Sequence, residues 1–347
     1  MTALALLTGL LPVVFLLAGM VVMDCYKLVS RRQVASSLAW GAIAGGISWA
    51  AHTFAHDRLG MAPGLLRWIA PALEETAKIA WVVVLMRRGM VGFLVDAAIH
   101  GFAVGAGFAV VENLYYAATL RDASMPLWIA RGLGTAVMHG GATAVAAVLG
   151  AELAKRRESG NPAWFLPGLA IAIALHTSFN QLPLSPLLAT ACVILVVPVI
   201  LVLVYERSEA RTRRWLGSTL DREAELLDLI HSGAITGSPV GRYLVSLRQR
   251  FPGPVVADML CLLEIHAELA MRAKGLLLAR EAGLSLPPDP QVEGSLREMH
   301  FLERSIGATG RLAIAPFLAA GRERWQIRMM ESGDAVASAP PPRPTRP

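Results

Sequence analysis

The chain has 347 residues, 54% of them hydrophobic and 17% charged, where soluble domains usually carry about a quarter charged residues. The charge is uneven: 23 Lys, Arg, Asp and Glu residues fall in 1–206 and 35 in 207–347, which excludes a secreted or cytosolic globule and makes the first part a polytopic membrane domain. The net charge of +6 divides equally between the two parts, so neither is a polybasic nucleic-acid arm, and nucleic acid is not an expected partner.

A spanning helix needs roughly 20 mostly apolar residues. Such runs lie at 3–23, 34–53, 64–86, 91–118, 126–152, 164–182 and 184–205, predicting seven spans. The first lacks the basic n-region and small-residue cleavage site of a signal peptide, so it is expected to remain as a helix. Cys25, Cys192 and Cys261 are too few and too scattered for a disulfide framework or a structural zinc site. The connections carry alternately many and few cations: Lys27, Arg31 and Arg32; Arg58; Arg87 and Arg88; Arg121; Lys155, Arg156 and Arg157; then none. Arg207, Arg211, Arg213 and Arg214 follow the last span. The positive-inside rule therefore predicts an N-terminus outside and a C-terminus in the cytoplasm; the expected location is the cell (inner) membrane, as a multi-pass protein.

Beyond the spans, 207–331 reads as a cytoplasmic helical domain, with apolar residues at helical spacing in 223–230 and 255–278 and turn signals at 237–239 and 252–254. From Ser332 the chain is rich in Ala, Ser and Pro, and 332–347 is predicted to be disordered. The expected fold class is all-α: a helical membrane domain over 1–206, its core motifs in 67–182, plus the helical C-terminal domain.

Ionisable groups inside spans cost several kcal/mol on insertion scales, so each is a functional candidate. Glu74, Glu75 and Lys78 lie in the third span; Asp96, His100 and Glu112 in the fourth; Arg131 and His139 in the fifth; His176, with Asn180 one turn on, in the sixth. Four consecutive spans sharing one polar cavity is a simpler account than four isolated polar contacts. With about 1.5 Å of rise per residue, Glu112 and His176 lie about 9 Å from the outer ends of their helices, Glu74 and Glu75 about 15 Å, and His139 about 20 Å. Gly101, Gly105 and Gly107 form a small-residue surface that admits a neighbouring backbone and brings Glu112 toward a partner helix. Asp96 and His100, four apart nearer the cytoplasmic end, read as a local pair, and Tyr115 and Tyr116 as interface aromatics.

Carboxylates, imidazoles and a carboxamide are the parts needed to activate water. A glutamate accepts its proton and returns it to a leaving amine. Histidines position the water or hold a metal, and Asn180 is placed to donate to a developing oxyanion. The chemistry suggested is peptide hydrolysis within the membrane, with Glu74, Glu75, Glu112, His139, His176 and Asn180 as the site residues.

Three stretches carry a resemblance: Glu74-Glu75-Thr76-Ala77-Lys78, then Phe108-Ala109-Val110-Val111-Glu112-Asn113 with His139, then His176-Thr177-Ser178-Phe179-Asn180. They resemble the PrsW family of intramembrane proteases, distant relatives of the CAAX-prenyl endopeptidases. The resemblance covers about 67–180. It implies cleavage of a membrane-anchored protein in the lipid bilayer, such as an anti-sigma factor, with Glu74, Glu75 and His176 essential. In the CAAX branch the second motif ends in histidine where Glu112 stands here, so processing of prenylated tails is disfavoured.

Either Glu74 or Glu75 is the base, the CAAX relation favouring Glu74. Glu112, His139 and His176 supply three ligands for one zinc ion, or the same residues hold water unaided. Two rivals stand beside the protease: a proton or solute transporter whose carboxylates and histidines form a relay, and a non-catalytic membrane sensor that signals through its tail.

Overall fold

The computed structural model describes residues 2–24, 29–119, 125–157, 161–181, 185–284, 286–287 and 289–318. The loop cations Lys27 and Arg121, Cys25 and the Pro-rich 332–347 segment lie outside the described residues. Those described form helices and turns, with no strand among them. They divide into two compact units, Met1–Glu209 and Ala210–Pro347.

In the first unit the elements run α1 (Thr2–Met23), α2 (Arg31–Asp57), α3 (Pro63–Arg87) and α4 (Leu94–Thr119). Next, α5 (Met125–Trp128) passes through a π-helical segment (Ile129–Gly134) into α6 (Thr135–Arg156); a 3-10 turn (Pro162–Phe165) precedes α7 (Leu166–Gln181), and α8 (Pro186–His231) begins in this unit and ends in the second. Among the described residues, five helices are long and apolar enough to cross a membrane: Arg31–Asp57, Leu94–Thr119, Gly132–Arg156, Pro162–Gln181 and Leu187–His231. Five, where seven spans are predicted, has a local cause in α3. Its 25 residues carry Glu74, Glu75 and Lys78 near the middle, so every 18-residue stretch of it contains all three. In α1 the apolar segment found is the shorter Val13–Val22.

α4 is the centre of this unit, buried from Asp96 to Ala109 and packed mainly on α2 and α6. Small residues make that possible. A Cβ on Gly105 would stand 2.2 Å from the His139 carbonyl oxygen, and one on Gly107 would stand 2.0 Å from that of Leu38. The two glycines let backbones of opposite neighbours approach within the reach of dispersion forces, the usual way helices associate without a hydrophobic drive between them. α4 is thereby fixed in register against α6.

Polar contacts pin the N-terminal half of α4. Asp96 and His100 do not pair with each other. The Asp96 carboxylate accepts from the backbone N–H groups of Gly92 and Phe93, both at 2.8 Å, satisfying two donors at the helix start. His100 Nδ1 instead meets Ser37 Oγ of α2 at 2.9 Å, and Trp81 of α3 donates to the same hydroxyl at 3.1 Å. Trp40 stacks on Trp81 and donates to the Ala77 carbonyl. The pairing fails because Asp96 turns back to cap the start of its own helix while His100 meets a partner on α2.

The second unit contains α9 (Pro239–Leu247), α10 (Gly253–Glu281) and α11 (Gln291–Ile314). Met259, Leu262, Leu263, Leu269 and Leu277 of α10 and Leu296, Met299, Leu302 and Ile306 of α11 form its buried core. Ser238 caps α9 through the Gly241 N–H, and Tyr243 donates to the Ala313 carbonyl. Lys274 is fully buried, paired with Glu223 beneath the Trp215 ring.

Gly105→Ala is expected to lower the thermal unfolding temperature of the detergent-purified protein, by about 1–3 kcal/mol of overpacking. Gly46→Ala, where an added Cβ meets nothing within 4 Å, leaves it unchanged. Equal melting of both variants would refute the close α4–α6 contact.

Candidate functional site

Glu74, Glu75 and Lys78 on α3, Glu112 on α4, His139 on α6 and His176 on α7 meet in one cluster, built from four helices. Glu75, Lys78, His139 and His176 are buried. The side chains of Glu74 and Glu112 keep 20% and 23% exposure, so these two carboxylates face the open side while Glu75 lies behind them.

Lys78 organises the buried part. Its ammonium is 2.7 Å from Glu75 Oε1 and 2.7 Å from His139 Nδ1, and it lies 4.0 Å from the centroid of the Phe108 ring. An ammonium has donors and no acceptor, so His139 Nδ1 must accept. The imidazole proton is then on Nε2, which donates to Glu112 Oε2 at 2.6 Å. The same logic fixes His176 in the opposite tautomer: Nδ1 donates to Glu75 Oε1 at 2.8 Å, leaving the Nε2 lone pair directed toward Glu74 Oε2, 3.8 Å away. The two rings meet edge to face at 4.6 Å.

Two side chains join that the sequence reading set aside. Tyr116, read there as an interface aromatic, donates to Glu112 Oε1 at 2.9 Å. Thr143, one turn beyond His139, has its hydroxyl 2.9 Å from the His139 carbonyl and 3.3 Å from Glu75 Oε2, its one proton facing the two acceptors. Each was visible as a four-residue spacing from a candidate, the helical neighbour distance. Asn180 is not brought in: it is half-buried one turn past His176 and has no hydrogen-bond partner among the described residues. Asn113, beside Glu112 in sequence, turns to α6 and donates to the Gly132 carbonyl of the π-helical segment. The side chain of Arg131, the alternative partner for Glu112, lies outside the described residues.

The donor set fits a divalent cation on two counts. Three carboxylates against one ammonium leave two negative charges in a low-dielectric site, which an ion of charge +2 would balance. Ligand atoms of Glu74, His139 and His176 lie within 4.8 Å of one another; two ligands each about 2.1 Å from one zinc stand at most about 4.2 Å apart, and Glu74 and His176 already meet that limit. The grouping has Glu74 where the set expected from sequence has Glu112; His139 is in both, although its two nitrogens already meet Lys78 and Glu112. A further group, His231, Glu264 and Glu268, is solvated in the second unit, where His231 and Glu264 form an ordinary ion pair at 3.1 Å.

A family model described as PrsW family intramembrane metalloprotease matches residues 29–205, just over half of the chain. No curated protein and no solved structure matches it.

Removing one partner of a buried ion pair leaves the other uncompensated, at about 3–5 kcal/mol. Lys78→Met is therefore expected to destabilise the protein by that order, and the double variant Glu75→Gln/Lys78→Met by clearly less. Thermal unfolding of the three proteins in one detergent checks this, and additive losses would contradict the direct pairing.

Proposed function

The chain belongs to the PrsW family of intramembrane metalloproteases, and we propose that it hydrolyses a membrane-anchored protein, of the anti-sigma-factor kind, near the outer leaflet of the inner membrane. The observation that carries this reading is the converging cluster, with Glu74 and the open Nε2 of His176 3.8 Å apart. Seven spans, an outside N-terminus and a cytoplasmic 207–331 domain complete the proposal. The alternation of loop cations supports them, and α3 belongs among the spans because its few charges are spent on the cluster. The domain limits proposed remain 1–206 and 207–331, followed by a disordered tail from 332.

Glu74 and the open Nε2 of His176 would hold the metal, and His139, the third member of the group, would join them only by giving up one of its present hydrogen bonds; the ion when bound would activate water and polarise the scissile carbonyl. Glu75 orients His176, keeping its proton on Nδ1 and its Nε2 open, as carboxylates behind metal-binding histidines do. Lys78 balances Glu75 and directs His139. With Glu74 at the metal and Glu75 behind it, Glu112, the second half-buried carboxylate, takes the role of base that the sequence reading gave to Glu74 or Glu75: it accepts the proton of the attacking water and returns it to the leaving amine. The location of Glu112 and His176 about 9 Å inside the outer helix ends sets the cut in the outer half of the bilayer. A proton relay across the whole membrane would need such groups through both leaflets, and Asp96 and His100 are committed to structural contacts instead.

The test is cleavage of a single-span substrate in proteoliposomes. Chelation is expected to abolish it and zinc to restore it. Glu74→Gln and His176→Ala lose both bound metal and activity, whereas Glu112→Gln keeps the metal and loses activity by about 10²–10⁴-fold, the usual contribution of a general base. Full cleavage by Glu74→Gln and His176→Ala, or solute flux without any cleavage, would overturn the reading.

A further inference from the structure

We infer that Tyr116 is a positioning residue of this protease, acting through Glu112, an inference that rests on the function proposed above. Glu112 sits at the open side of the cluster with a side chain 23% exposed, on a stem of three rotatable bonds. Held by His139 at Oε2 alone, its carboxylate could pivot away from the site. The Tyr116 hydroxyl, one helical turn on, takes the other oxygen at 2.9 Å, so both ends of the carboxylate are fixed and its plane is set. Glu75 needs no comparable device, because Lys78, His176 and Thr143 enclose it from within.

A phenol suits this position for two reasons. It donates a hydrogen bond without bringing a positive charge, so it anchors Glu112 without altering the charge balance of the cluster. Its ring is also at home near the lipid-exposed end of α4, where Leu114 and Tyr115 are 52% and 49% exposed. The adjacent Tyr115 provides an internal control: its ring tilts against that of Tyr116 with centroids 5.8 Å apart, but it points outward.

The experiment combines a kinetic cycle with a spectroscopic readout on the full-length protein. Tyr116→Phe removes only the hydroxyl, and the expected result is a fall in kcat of about tenfold, the worth of one hydrogen bond to a charged group, with KM within roughly twofold; Tyr115→Phe changes neither. In a Glu112→Gln background the same substitution should cost nothing further, because the group it positions is already gone. Independently of activity, histidine-selective 15N NMR, with His139 assigned by the loss of its signals in His139→Gln, should show the Nε2 resonance displaced in Tyr116→Phe and not in Tyr115→Phe. An unchanged kcat, an equal loss in the Glu112→Gln background (which would mean that Tyr116 acts directly on substrate), or an unmoved Nε2 resonance would each overturn the inference. Absence of cleavage by the wild type would refute the protease reading, and the NMR comparison would still decide whether Tyr116 holds Glu112.

Discussion

The ammonium of Lys78 is the charge around which the membrane unit is arranged. In the interior of a bilayer it must be neutralised and its donors satisfied, and it meets both demands with Glu75, His139 and the face of Phe108. Those contacts tie α3 to α4 and α6. Because the ammonium can only donate, it also decides which nitrogen of His139 carries the proton, and hence which atom of Glu112 that ring meets. Glu75, once balanced, is free to orient His176 on α7. One cation thus couples four helices and sets the tautomers of both histidines.

Helix packing and site geometry are the same problem here. The contact that lets α4 lie against the His139 carbonyl requires a glycine at 105, and Glu112 lies seven residues further along that helix. Any widening of the α4–α6 contact would separate Glu112 from His139, whose present separation is a single hydrogen bond. The unusual density of Gly and Ala along α4 and α6 therefore serves the chemistry as well as the membrane fold.

Much of this was legible in the sequence, for a physical reason: charge is so costly in the bilayer that few ionisable residues survive there, and the survivors mark the site. The all-helical character and the family followed from apolar runs and from the order of Glu74-Glu75, Glu112 and His176. Partner choice was not legible. Spacing along one helix suggested that Asp96 and His100 pair, but His100 reaches Ser37, 63 residues away, and only tertiary structure reveals such a neighbour. Tyr116 was misread for a related reason: amphipathic aromatics at helix ends are common in membranes, and nothing in composition distinguishes one that faces headgroups from one that bonds a carboxylate.

The cluster separates into a closed half and an open half, and the division follows from which groups are satisfied. Glu75, Lys78, Thr143 and the Nδ1 atoms of both rings have their partners within the protein, so they form a scaffold with little reason to change. Glu74 and His176 Nε2 face each other without a hydrogen bond, at a distance suited to a shared ion, and with Glu112 they leave the site two negative charges in excess. Glu74 keeps 20% exposure, so this half is the one that can be reached from outside the cluster, while the scaffold behind it holds the geometry.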